Sequence, residues 1–143
     1  MSDFAGHVRT WCIKAQRLTE EVLRASVIDL CAMIIVDTPV DRSDRADLTI
    51  ARGDWNSGIG TEPGDVNNGD DTGTAALAKL QEVVASWKPV EGQPFIFVNH
   101  KDYIARIEYE GWNGHAPYGM VGRHVVEWDQ IVERARSRLS GSA

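Results

Sequence analysis

The first 36 residues carry an apolar stripe that only a long helix can use. Phe4, Val8, Trp11, Ala15, Leu18, Val22 and Ala25 recur in alternating steps of four and three, a spacing that lays them along one helix face. Ile28, Cys31 and Ile35 carry the stripe on, with a shift in phase after Ala25. The pattern predicts helix from about Asp3 to Val36, on the order of 50 Å at 1.5 Å per residue. A kink or break near Ala25 to Asp29 fits the same residues equally well. Pro39 marks the end, because a residue that precedes proline is pushed out of the α region.

The rest of the chain alternates short patterned segments with polar connections. Residues 41–47 are charged and poor in helix formers, and Leu48, Ile50 and Trp55 beyond them read as a short strand or extended segment. Residues 56–73 hold five glycines, three asparagines and four acidic residues without a periodic face. They are expected to form a projecting loop that orders against a neighbour, since unpatterned loops of this length are usually functional or disordered. Asp71 or Thr72 is placed to cap a second helix over about 74–87, with Leu77, Leu80, Val84 and Trp87 as its buried face. Pro89 and Gly92 punctuate a turn before Phe95-Ile96-Phe97-Val98, the clearest strand pattern in the chain. Residues 103–109 fit a strand or a helical turn, and 111–119 form a second loop. A last helix is expected over about 120–139, with Val121, Val125, Trp128, Val132, Ala135 and Leu139 facing inward and a basic end suited to the helix dipole. Residues 140–143 read as a loose tail. The sum is an α+β domain spanning 1–143: amphipathic N- and C-terminal helices and a middle helix packed on a small, mainly antiparallel sheet with long loops.

Composition narrows the function. A formal charge of −6 disfavours a protein whose main work is gripping phosphate, which needs clustered Lys and Arg. It leaves room for DNA to pass along a surface without sticking. Cys12 and Cys31 are the only cysteines. Both sit among apolar helical residues and read as buried free thiols in a reducing compartment, with no zinc site. The N-terminal residues lack the basic and apolar regions of a signal peptide. No apolar run is long enough to span a bilayer, so synthesis in a cytoplasm is expected.

Several strings imitate catalytic or binding motifs and fail on context. Asp71-Thr72-Gly73 spells an aspartic-protease triplet, yet it stands in a polar loop and has no second copy to share a proton with. A calcium loop counted from Asp65 places Ala76 where a bidentate Glu is required. The glycines of 58–64 lack a following Gly-Lys-Ser/Thr, and Arg52-Gly53-Asp54 is a short adhesion-type string without a secretion signal. His7, His100, His115 and His124 have no metal-ligand spacing. His100 with Asp102 and Glu108 is the one set able to exchange protons, and no nucleophile elbow accompanies it. Catalytic, cofactor-binding and metal residues are therefore read as none.

The irregular segments carry more than the helices do. Thr38-Pro39-Val40-Asp41, Ala51-Arg52-Gly53-Asp54-Trp55 with Ile59-Gly60 and Pro63, Val98-Asn99, Tyr103-Ile104-Ala105-Arg106, Glu108-Tyr109 with Gly111-Trp112, and Ala116-Pro117-Tyr118-Gly119-Met120 occur in that order. As an ordered set they resemble the neck and tail-completion proteins of tailed bacteriophages, over about Ile35 to Trp128. Two departures fall in loops: Arg42-Ser43-Asp44-Arg45 follow where that family has Thr-Gly-Arg, and Glu110 is inserted before Gly111.

The resemblance implies a non-enzymatic virion protein of the head–tail junction, made in the host cytoplasm. It implies a homo-oligomeric ring, hexameric by the sixfold symmetry of tails, joined to connector and tail-tube proteins, with genomic DNA passing through the lumen. A ring needs a heterologous contact whose rotation closes, and aromatic and arginine side chains dominate such contacts. Trp55, Tyr103, Arg106, Trp112 and Tyr118 are the expected interface or loop-organising residues, with Trp55 and Tyr103 equally readable as core. A tail terminator or minor tail protein is the nearest alternative. A small enzyme using His100, Asp102 and Glu108, or an adaptor binding partners through 56–73, stands further off.

Overall fold

The computed structural model of the chain describes residues 3–40, 51–66, 68, 71–101, 104–110 and 119–141. Its backbone is α+β: five helices and one two-stranded antiparallel sheet among those residues. The long N-terminal pattern is realised as a single helix, α1 (Asp3–Asp37), unbroken through residues 25–29. It stops where expected. Thr38 donates its hydroxyl to the Ile34 carbonyl at 2.7 Å, and Pro39 follows.

The two halves of α1 have different surroundings. Val22, Ser26, Cys31, Ile34 and Ile35 are buried in its C-terminal half. None of the described side chains from Ala5 to Glu21 is buried, and Val8 and Leu18 on the stripe are 45% and 38% exposed. This corrects the expectation of one continuous buried face, and with it the expectation for Cys12, which is exposed while Cys31 is buried. The stripe simply outruns the body of the chain.

That body is built from short elements. A 3-10 turn (Ala51–Asp54) leads into β1 (Trp55–Ile59), which pairs antiparallel with β2 (Phe95–Asn99) in the register Trp55↔Asn99 to Ile59↔Phe95. β2 matches the sequence pattern. β1 does not: residues 56–59, expected to begin a projecting loop, are strand, with Asn56 and Ser57 buried. The Asn56 side chain can lie there because its hydrogen bonds are met within the chain. Asn56 donates its amide to the Gly64 carbonyl at 2.9 Å and accepts from the Ser57 N–H at 2.9 Å. The connection beyond folds back onto the strand. His100 Nε2 lies 2.9 Å from the Pro63 carbonyl, and Asn68 bonds to Asp54 and Gly53 at 2.8 Å each.

α2 (Thr74–Ser86) buries Ala76, Leu80 and Val84. The residue at its N-cap is Gly73, at φ 81° with no side-chain cap bond of its own, while of the two expected caps Thr72 accepts the N–H of Thr74, the first residue of the helix, at 3.2 Å. A Cβ at Gly73 would stand 2.5 Å from Ile35 Cγ2 and 3.2 Å from Arg52 Cγ. Close approach to α1 and a left-handed backbone together select glycine. Trp87 closes the helix, donating its indole N–H to the Gln93 carbonyl at 2.9 Å and packing against Phe95.

The ambiguous 103–109 segment is helical, as α3 (Ile104–Glu110) with Ile107 buried. The final helix is two pieces, α4 (Gly122–Val125) and α5 (Trp128–Gly141), separated by a turn at 126–127. His124, Ile131 and Ala135 are buried, while Val125, expected inside, is exposed. Ser140 and Gly141 extend α5 rather than forming a tail. α5 runs antiparallel to α1, since His124 meets Asp37 and Arg138 meets Asp29. α1, α2, β1, β2 and α3 close on one core of Cys31, Ile34, Ile35, Trp55, Leu80, Val84, Ile107 and Met120.

Candidate assembly surfaces

Of the five residues expected to make contacts, Trp55 is placed in the core at 5% exposure. Its ring stacks on Phe97 with centroids 4.8 Å apart and planes within 4°. Its indole N–H donates to the Thr38 hydroxyl at 2.8 Å, and Arg52 Nε donates to the Thr38 carbonyl at 2.9 Å. Trp55 therefore ties the end of α1 to the sheet and has no surface left for a partner. An aromatic residue type alone does not separate those two roles; the buried hydroxyl at Thr38 does. Arg106 falls on α3, with its side chain outside what is described. Tyr103, Trp112 and Tyr118 lie outside the described residues.

Two members of the proton-exchange set, His100 and Glu108, have hydrogen-bond partners within the fold. His100 sits between the Pro63 carbonyl and Glu62. Glu108 accepts from the N–H groups of Met120, Val121 and Gly122 at 2.8, 2.8 and 2.9 Å. Burial pushes the Glu108 carboxyl up, but those three donors and the field of His124 outweigh it and hold the group below its ordinary value. This is a clasp between α3 and the chain leading into α4. Asp102 lies outside the described residues. The Asp54 of Arg52-Gly53-Asp54 is buried and paired with Lys101 at 2.9 Å, so the string is not displayed for adhesion. Among the described residues no three His, Cys, Asp or Glu side chains gather as metal ligands, and no helix is long and apolar enough to cross a membrane.

What the described surface does offer is exposed apolar side chains at the two ends of α1. The N-terminal half, the arm, carries Val8 and Leu18. At the other end Val36 is 67% exposed, Val125 47%, Val126 83% and Tyr109 85%. Val36 adjoins His124 of α4 in a shallow hollow with Met33 and Asp37. Val125 and Tyr109 line a neighbouring cleft of about 520 Å³ with Phe97, Ile104 and Val121. Sequence reading missed this end because Val36 lies off the buried face of α1, between buried Ile35 and Thr38, and Val125 sits on the face expected to be inside. A helix stripe longer than the chain's own core was the signal that could have found the arm.

Compared with known proteins, the chain matches no family model, no curated protein and no solved structure.

Proposed function

We propose that this chain is a structural subunit of the neck or tail-completion region of a tailed bacteriophage, assembling with copies of itself into a ring through which DNA passes, and that it is not an enzyme. The observation that carries the assembly part is the arm. A helix of this amphipathic kind is held mostly by packing of its apolar face, and the first half of α1 presents that face with no cover among the described residues. A neighbouring subunit supplies what the monomer lacks. The setting in a virion rests on the ordered strings from Thr38 to Met120 described above. The separate structural engagements of His100 and Glu108 favour a scaffold over an acid–base catalyst.

Negative-stain microscopy of the purified chain at high concentration, with mass analysis of phage particles, tests the reading. Closed rings, six subunits by the symmetry of the tail, and the chain's presence at the head–tail junction are expected. A protein that stays monomeric and is absent from particles would refute it.

A further inference from the structure

We infer that the open edge of β2 takes up an extended peptide segment of another protein, uncharged or basic and apolar at alternate positions, as a third strand of the sheet. The site is distinct from the arm of α1 and does not rest on the virion setting.

The pairing of the two strands shows which backbone groups are left over. Gly60 donates its N–H to the Pro94 carbonyl at 2.8 Å, which continues the antiparallel register as a hydrogen-bonded pair. Such pairs alternate with unbonded ones, so Gly58 bonds with Ile96 and Asn56 with Val98. The N–H and C=O groups of Phe95 and Phe97 therefore point away from β1. Among the described residues none of these four groups has a hydrogen-bond partner. The other edge of the sheet is closed. There the outward N–H of Ser57 is taken by Asn56 Oδ1 at 2.9 Å. The connection beyond β1 lies against it, with Pro63 Cδ 3.0 Å from where a Cβ on Gly58 would stand.

An open edge invites pairing, and proteins usually blunt it with a charge, a proline, a bulge or a cover. β2 reads Phe-Ile-Phe-Val-Asn, with its four apolar residues all partly exposed. It holds no charge and no proline, and its register runs without a bulge. The cleft of about 520 Å³ described above touches Phe97, Val98 and Asn99 alike. Successive strand residues point to opposite faces, so the cleft runs along the edge. Its far wall is Ile104 and Tyr109 of α3 and Val125 of α4. The unpaired backbone calls for an extended chain, and the apolar wall for every second side chain of that chain. An edge of five residues, about 17 Å long, suits a short segment rather than a folded domain, whose stable contacts bury roughly 800 Å² a side. Charge narrows the occupant further. Among the described residues that line the cleft, Glu108 alone is charged. Nearby, Arg123 and His124 are turned to Asp37, and Lys101 to Asp54. With the whole chain at −6, an acidic segment is repelled and a basic one attracted.

The test uses the full-length chain and blocked nine-residue peptides in which Val, Ile, Leu or Phe alternates with Thr, with Lys or Glu at both ends. In the free, dilute chain, amide exchange followed by NMR is expected to be fast at Phe95 and Phe97 and slow at Ile96 and Val98. At least one Lys-ended peptide is expected to slow exchange at Phe95 and Phe97, and its Glu-ended counterpart to bind about tenfold more weakly. N-methylating one alternate set of that peptide's amides should cost about tenfold or more in affinity, and methylating the other set much less. Val125→Arg, at an exposed position and with folding checked by thermal melts, fills the cleft and should weaken the same peptide about tenfold.

Slow exchange at Phe95 and Phe97 in the free, dilute chain would mean that the chain itself already covers the edge. Protection that rises with protein concentration alone would mean that a second copy does. Either result overturns the inference. So does a panel in which no peptide protects these amides, an equal effect of the two methylated sets, or unchanged binding to the Val125→Arg chain.

Discussion

Thr38→Val is the sharpest probe of how this fold is held. The side chain is fully buried, and its hydroxyl does two things. It donates to the Ile34 carbonyl at 2.7 Å and accepts the Trp55 indole N–H at 2.8 Å. Valine keeps the shape and removes the hydroxyl. The Ile34 carbonyl still accepts from the Thr38 backbone N–H at 3.0 Å, so that oxygen is not orphaned. The indole N–H loses its partner. A buried donor left unsatisfied costs about 1–3 kcal/mol, and with a urea m-value of about 2 kcal/mol/M the midpoint should fall by roughly 1 M. Trp55→Phe removes the orphan. In that background Thr38→Val should cost much less, giving a coupling of about 1–2 kcal/mol in a double-mutant cycle. Urea melts followed by far-UV circular dichroism measure all four proteins. Equal costs of Thr38→Val with Trp or Phe at 55 would refute the argument that this hydrogen bond joins α1 to the sheet.

Other outcomes follow from single sites. Gly73→Ala should destabilise by about 2–4 kcal/mol, combining left-handed strain and overpacking against Ile35, and a midpoint shift in urea reports it. Glu108 is held below its ordinary value of 4.5. Its contribution is therefore fully present above that pH and lost as the pH falls through the lowered folded value. Thermal melts from pH 6 to 3 should show a steeper acid loss for the unaltered chain than for Glu108→Gln. Burial pushes the Cys31 thiol up to about 12, while Cys12 is exposed. A thiol reagent should modify one cysteine in the native protein and the second only in denaturant, and two fast equivalents would contradict the burial of Cys31.

The legible parts of the fold are those whose signal is local. The stripe of α1, the spacing of Leu80 and Val84 in α2, and the apolar run of β2 each depend on neighbours within a few turns. β1 was hidden because Asn56, Ser57 and Gly58 show no alternation. They become strand only when β2 lies beside them and the Gly64 carbonyl receives the Asn56 amide. The inward face of the last helices was misread by one residue, Val125 for His124, because valine is the more apolar of the two and the partner that receives the buried imidazole, Asp37, lies on α1, far away in sequence. For contact residues, sequence reading looked to tryptophan, tyrosine and arginine in the connectors and beside them. Trp55 went to the core, and the exposed valines at the far end of α1 carried no motif.

A single helix that begins outside the body and ends inside it belongs to two cooperative units at once. The amides of residues 22–37 are locked to the core and should exchange with solvent only when the whole domain opens. Those of residues 5–19 have the helix behind them as a template but no packing, so they can unzip from the N-terminus without disturbing the rest. Protection should therefore fall along one continuous element. A partner laid over the outer turns would flatten that gradient, so exchange along α1 reports whether those turns are covered.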